Sequence, residues 1–154
     1  MTTPIRASEL RLADARIIVD AALDYAREQQ LPAMTVAVLD AAGSLLAFAR
    51  EDGSSLLRER IARGKAAGAL NMGVGSRALA ARAQSHPQFV VALIALAGGD
   101  LVPVPGGVLV RTDDGSVIGA VGVSGHQPDR DEACAIAGIH ASPFTPDSGA
   151  TEAS

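Results

Sequence analysis

The chain has 154 residues, a formal net charge of −4 and a single cysteine, and 48% of its residues are hydrophobic but only 3% aromatic. This length and composition indicate one globular domain that needs neither a disulfide nor a metal to fold. Lysine and arginine are not concentrated in one block, which argues against nucleic acid as a partner. No apolar run is long enough to cross a bilayer, and residues 1–16 lack the apolar core of a secretory signal. We therefore expect a cytoplasmic protein with no membrane partner.

The first half of the chain predicts a helix, a β-hairpin and a second helix. The predicted segments are a helix over residues 8–30, strands over 34–40 and 44–49, and a helix over 57–70. Ser8 is the expected cap of the first helix, and Pro32 ends it. The second helix is rich in alanine and glycine, although glycine inside a helix costs about 1 kcal/mol. We therefore expect it to approach another element closely, within the chain or across a subunit contact.

The second half predicts further helices around a second hairpin. The predicted segments are a short helix that follows a break at 72–76 and runs through Arg82, a helix over 87–97, strands over 108–111 and 117–123, and a helix over 129–139. Pro103 and Pro105 place the preceding segment in a loop or at a sheet edge. Residues 141–154 are small and polar, so we expect a disordered tail after a single domain over residues 1–140. Consecutive hairpins with helices packed on them predict an α+β fold with an antiparallel sheet.

Three groups of segments resemble the GlcG/HbpS-like family, the DUF336 or haem-degrading group. They are residues 12–15 with 34–43, residues 50–53 with 62–66, and residues 105–107 (PGG) with 117–125 (VIGAVGVSG) and 131–132 (DE). Their order and spacing span residues 12–139. The resemblance implies a five-stranded antiparallel sheet flanked by helices, in a profilin- or PAS-like layered architecture, and assembly into dimers or higher homo-oligomers. It also implies haem binding or degradation in some members, a corrinoid-related domain in others, and organic acid catabolism in others still.

The acidic residues that follow the last predicted strand are the candidate catalytic groups. Asp131 or Glu132 can serve as a proton acceptor or donor if burial brings its pKa towards neutrality. The alternative is structural, because Asp129 with Glu132 three residues later fits a capping box at the start of the last helix.

A cationic cluster supplies candidate ligand-binding residues. Arg50, Arg63 and Lys65, with Arg58 nearby, can bind the carboxylate of an organic acid or a haem propionate. Such side chains are also commonly solvated or paired with acids. Lys65 is distinctive because it lies among the small residues of the second helix.

The PGG segment and one histidine complete the candidate ligand site. Pro105, Gly106 and Gly107 can form a pocket wall that presents backbone amides to an anion, or can simply turn the chain. Of the three histidines, His126 is the one we expect to be functional, since His86 and His140 read as surface residues. The histidines show no paired metal spacing, so no metal site is expected.

Two functional hypotheses and one non-catalytic structural alternative remain open. The first is a cofactor-independent proton-transfer enzyme or accessory protein, of isomerase, hydratase or lactone hydrolase type, with a pocket for a small organic acid between the PGG segment and the last helix. The second is a haem- or corrinoid-binding module, for which haem is the cofactor. A non-catalytic oligomeric scaffold is the third.

Overall fold

Five helices and five strands form within residues 9–151, the part of the chain that the computed structural model describes. The helices are α1 (Leu12–Glu28), α2 (Arg58–Met72), α3 (Ser76–Ser85), α4 (Pro87–Leu96) and α5 (Pro128–His140). The strands are β1 (Thr35–Asp40), β2 (Leu45–Arg50), β3 (Gly107–Arg111), β4 (Val117–Ser124) and β5 (Thr145–Asp147). The elements predicted between residues 8 and 139 are found close to their expected positions, while the cap expected at Ser8 lies outside the described residues.

All the strands join one antiparallel sheet with the order β2-β1-β4-β3-β5. The two predicted hairpins meet where β1 pairs with β4, and Thr35 lies opposite Ser124 there. β1, β3 and β4 are almost entirely buried, because helices cover both faces of these strands. Burial on both faces accounts for their continuous apolar sequences. The α+β class and the five-stranded antiparallel sheet are confirmed.

Helix α2 covers one face of the sheet, and α1 and α5 pack together on the other. The small residues of α2 allow this contact. A Cβ atom on Gly122 of β4 would collide with the carbonyl oxygen of Ala62, so the backbones of strand and helix touch directly. On the far side of α2, a Cβ atom on Gly64 would lie 2.6 Å from the side chain of Val102. The predicted close approach is confirmed, and it occurs within the chain.

The end of the described chain is ordered, in contrast to the expected disordered tail. β5 pairs with β3, with Leu109 opposite Asp147, and the Asp147 carboxylate accepts a hydrogen bond from Arg111 Nε at 2.9 Å. A three-residue segment that contains proline is too short to show the alternation that predicts a strand. It becomes a strand because it hydrogen-bonds to the otherwise unpaired edge of β3. Residues 152–154 lie outside the described part of the chain.

Helices α3 and α4 form an arm, residues 76–96, in which α4 contacts mainly α3 among the described residues. The sequence of α4, PQFVVALIAL, contains no charged residue. Only Val90 of this helix is buried, whereas Phe89 is 44% exposed, Val91 65% and Leu96 87%. An apolar helix with so little cover is unusual on the surface of a monomer.

Candidate functional site

A buried ion pair joins α2 to the start of α5. The ammonium of Lys65 lies 2.9 Å from Asp131 Oδ2, and the two side chains are 2% and 1% exposed. Lys65 also donates to the carbonyl oxygen of Val123 at 3.0 Å, and Asp131 Oδ1 accepts from the backbone N–H of His126 at 2.9 Å. The pair therefore links α2, β4, the loop after β4 and α5.

The PGG segment encloses the stem of the lysine. Gly106 has φ +125°, and a Cβ atom there would lie 2.8 Å from Lys65 Nζ. A Cβ atom on Gly107 would collide with the carbonyl oxygen of Lys65. The backbone N–H of Gly107 donates to the buried hydroxyl of Ser76 at 2.7 Å. Pro105 is half-buried beside them. The space between the PGG segment and α5, where we expected a ligand pocket, thus holds the Lys65 side chain.

A second, more exposed network surrounds Glu132. Arg77 Nε lies 3.1 and 3.0 Å from its two carboxylate oxygens, and Arg77 Nη2 lies 2.7 Å from Asp129. Helix α5 begins after Gln127 with no side-chain cap. The capping-box interpretation of Asp129 and Glu132 is therefore wrong: both carboxylates are bound by an arginine from α3 instead of by the backbone of α5.

Burial and hydrogen bonding shift the ionisation of this region. Burial lowers the pKa of Lys65 below its ordinary value, against the opposing attraction of Asp131, and the positive charge of Arg58 lowers it further. Hydrogen bonds to Glu132 and Asp129 raise the pKa of Arg77. Arg58 donates to the Ser124 hydroxyl at 3.1 Å, at the edge of the same cluster. The cluster carries three cations and three carboxylates, so its charges balance.

The side chains of the remaining predicted ligand-binding residues lie on the surface, and of these residues only His126 contacts the cluster, through its backbone N–H. Arg63 and His126 are exposed. Arg50 is exposed as well, donates to the Ser54 carbonyl, and lines a cleft of about 550 Å³ with Arg27 and Glu51. Four surface clefts in the described range 9–151 have none of Lys65, Asp131 or Glu132 in their walls.

Sequence reasoning missed Arg77 altogether. It lies 52 residues before Asp129 in the chain, on a helix that carries no motif, so only folding reveals the contact. Between residues 9 and 151, no cluster of three or more histidine, cysteine or acidic side chains is arranged to hold a metal ion. Within the same range, none of the helices is both long enough and apolar enough to span a bilayer.

The fold defines a class: an α+β domain in which a five-stranded antiparallel sheet separates α2 from the α1–α5 pair. A sequence model of the family described as haem degrading protein HbpS-like matches residues 10–140, and the chain belongs to this family. A comparison with curated protein sequences finds no significant match.

Solved structures of similar fold include the following three. The structure of a PduOC:haem complex is 26% identical, covers 88% of this chain and 96% of its own, and superposes with a TM-score of 0.79. The DUF336 protein ORFY of Klebsiella pneumoniae is 26% identical, with 92% and 95% coverage and a TM-score of 0.80. HbpS is 27% identical, with 89% and 92% coverage and a TM-score of 0.75.

Proposed function

We propose that the protein binds a tetrapyrrole, with haem as the first candidate, on the apolar surface of the 76–96 arm. The family match and the similarity to a haem complex of PduOC support this ligand class. The observation that carries the proposal is the composition of α4, which faces solvent over most of its length without one charged side chain. Large exposed apolar patches on a protein surface commonly mark interaction or ligand-binding sites.

A haem site requires apolar surface for the macrocycle, cations for the propionates and a ligand to the iron. The arm offers the first two requirements together. Phe89 exposes its ring, and the Arg82 guanidinium carbon lies 5.2 Å from the centre of that ring. A macrocycle stacked beside Phe89 would therefore have a cation within reach of a propionate. When bound, haem iron supplies redox chemistry and an open coordination position, while the chain contributes binding and orientation.

Proton-transfer catalysis on a small organic acid has less support from the geometry. Asp131 is fully engaged by Lys65 and the loop backbone, and Glu132 is engaged by Arg77. A general base must reach a substrate atom at hydrogen-bonding distance, and the clefts described above do not open onto these carboxylates. We therefore assign the Lys65–Asp131 pair a structural role, which is to fix α2 and α5 relative to β4.

Titration of the haem-free protein with hemin, followed by the Soret absorbance, tests the proposed function. We expect a saturable, stoichiometric transition that weakens in Phe89→Ala. The matched control is Phe48→Ala, which removes a similarly exposed ring from the edge strand β2. A Soret change that never saturates, or that weakens equally in both variants, would overturn the proposal.

We also propose that the protein is a homo-oligomer, in which a second copy packs against the side of α4 next to the Phe89 face. Val91 and Ala95 lie four residues apart on that side and both are exposed, so a second helix can approach closely beside the small Ala95. A second copy of this uncharged helix is the partner that best matches its character. We expect Val91→Glu to lower the mass measured by light scattering, whereas Gln84→Glu on α3 leaves it unchanged. Equal masses for wild type and Val91→Glu would refute this interface.

A further inference from the structure

Two buried hydroxyl groups lie side by side at one end of the sheet, and neither donates its hydrogen to an acceptor in the described part of the chain. Thr35 of β1 and Ser124 of β4 are cross-strand neighbours, and both are fully buried. Thr35 Oγ1 has no hydrogen-bond partner among the described residues, and Ser124 Oγ only accepts, from Arg58 at 3.1 Å. Buried hydroxyl groups are rarely left in this condition, so a group that accepts hydrogen bonds is expected to bind here.

Both hydroxyl groups are on the sheet face that α2 covers. A Cβ atom on Gly122, two residues before Ser124, would collide with the carbonyl oxygen of Ala62 in this helix. Side chains alternate between the two faces of a strand, so Ser124 and its neighbour Thr35 share the face of Gly122. Arg58 lies one helical turn before Ala62 and reaches Ser124, so the first turn of α2 lies over this end of the sheet.

Positive charge comes to this place from three directions. Helix α2 begins after Leu57 without a side-chain cap, so the N–H groups of its first turn have no side-chain acceptor. Arg58 belongs to that turn, and Arg50 of β2 lies opposite Thr35 on the other side of β1. Neither arginine forms a salt bridge within residues 9–151. Guanidinium groups, hydroxyl groups and a helix N-terminus are all donors that bind oxyanions.

An ion can reach this place from solvent. Arg50 is exposed and lines the cleft of about 550 Å³ described above. Of the two acids in that cleft, Glu51 is paired with Arg27 at 3.0 Å, and Asp52 is exposed, where solvent screens its charge. Arg58 is half-buried and its side chain is held by a single hydrogen bond, so it can turn aside to admit an ion to the hydroxyl groups.

We propose that this end of the sheet binds a phosphate group, either the free ion or the phosphate of a small metabolite. Its ligands are Thr35, Ser124, Arg50, Arg58 and the first N–H groups of α2. These donors come from the sheet, from the helix above it and from the neighbouring strand, and a tetrahedral phosphate presents oxygens in all of these directions. A planar carboxylate presents only two oxygens in one plane. The phosphate charge of about −2 also matches two guanidinium groups.

The phosphate site goes beyond the proposed function and is independent of it. Its ligands belong to β1, β2, β4 and α2, whereas the proposed tetrapyrrole surface belongs to the 76–96 arm. Phe89→Ala, which should weaken hemin binding, should therefore bind phosphate as the wild type does. Loss of phosphate binding in Phe89→Ala would overturn this placement of the site.

Isothermal titration calorimetry of the full chain with inorganic phosphate, at constant ionic strength, tests the site. We expect saturable binding to one site, weakened about tenfold in Thr35→Val, because this nearly isosteric change removes one hydrogen bond to a charged group. Thr35→Ser retains the hydroxyl and should keep the affinity. Arg58→Gln should also weaken binding by about tenfold, whereas the matched control Arg63→Gln, on the same helix but exposed, should not. Absence of saturable binding, or equal loss in Arg58→Gln and Arg63→Gln, would overturn the proposal.

The choice of anion tests the tetrahedral geometry. Acetate should bind at least tenfold more weakly than phosphate, and equal affinities would overturn the assignment of phosphate. Methyl phosphate distinguishes the two sources of the ligand. If it binds more tightly than inorganic phosphate, the site takes a phosphate ester, and if it binds more weakly, the site takes the free ion.

The stability of Thr35→Val without phosphate checks the premise. Because the variant removes a buried hydroxyl that has no partner in the described part of the chain, its urea midpoint should equal or exceed that of the wild type. A clearly lower midpoint would mean that the fold itself uses this hydroxyl, and the proposal would then fail.

Discussion

Removal of the buried ammonium of Lys65 is the sharpest test of how the two helix layers are joined. Lys65→Met keeps a long unbranched side chain but deletes the hydrogen bonds to Asp131 at 2.9 Å and to the Val123 carbonyl at 3.0 Å. Asp131 retains the N–H of His126, but its other carboxylate oxygen is left at a site that is 1% exposed. A charged group in such a position has lost both water and its counterion.

We expect Lys65→Met to lower the free energy of unfolding by about 3–5 kcal/mol, the range found when one member of a buried pair is removed. For a domain of this size each kcal/mol lowers Tm by about 2–4 °C, so Tm should fall by about 6–20 °C. Lys65→Met combined with Asp131→Asn removes both charges, and we expect it to be more stable than the single variant. The reason is that the cost lies mainly in the unpaired charge and not in the loss of the pair itself.

Urea denaturation at pH 7 and one fixed protein concentration measures these differences. The matched control is Arg63→Met, two residues earlier on α2 but exposed, which should change the free energy of unfolding by no more than about 0.5 kcal/mol. The reasoning is refuted if Lys65→Met unfolds at the wild-type urea midpoint. It is also refuted if the double variant is no more stable than the single one.

Three further predictions follow from the same region. Arg77→Gln should lower the free energy of unfolding in urea by about 1–2 kcal/mol, because Glu132 loses a partly solvated two-oxygen contact, and an unchanged midpoint would contradict this. Gly43→Ala should lower the free energy of unfolding by about 1–2 kcal/mol, because Gly43 has a positive φ, and Gly106→Ala should lower it by at least twice as much. The reason for the difference is that a Cβ atom on Gly106 would also meet the Lys65 side chain, whereas one on Gly43 would meet nothing. Equal losses in the two variants would contradict that contact. Burial raises the pKa of the Cys134 thiol to about 12, so a thiol reagent at pH 8 should label only the urea-unfolded chain. The free energy of unfolding should fall as pH rises above 9, because the thiol of the unfolded chain ionises there while the buried thiol stays protonated. Prompt labelling of the native protein at pH 8 would contradict the burial of this thiol.

Much of the fold was readable from the sequence because local patterns and tertiary packing agree. The continuous apolar runs over β1 and β4 predicted strands. The Asp-Gly turn before residue 117 predicted the second hairpin, which β3 and β4 form. Glycine and alanine along α2 predicted a close contact, which is made with Gly122. Proline and glycine near residues 103–107 predicted an irregular segment, which precedes β3. Each of these features depends on residues close together in the chain.

The candidate site could be predicted only in part, because its contacts join residues that are far apart in the chain. The sequence singled out Lys65, Asp131 and the PGG segment, but it could not indicate that the lysine would lie between the other two. The partner of Glu132 is Arg77, and no local pattern connects residues so far apart. The expected ligand residues Arg50 and Arg63 share no site with them, since strand and helix direct each to the surface.

The sequence by itself determined the helices, four of the five strands, the α+β class and the family, because these depend on periodicity, turn residues and the order of motifs along the chain. Tertiary structure alone decided that β5 completes the sheet and that the apolar helix α4 is left largely uncovered. It also decided which charges are paired and buried. The physical reason is that burial and ion pairing depend on distances across the fold, and one-dimensional spacing does not fix those distances.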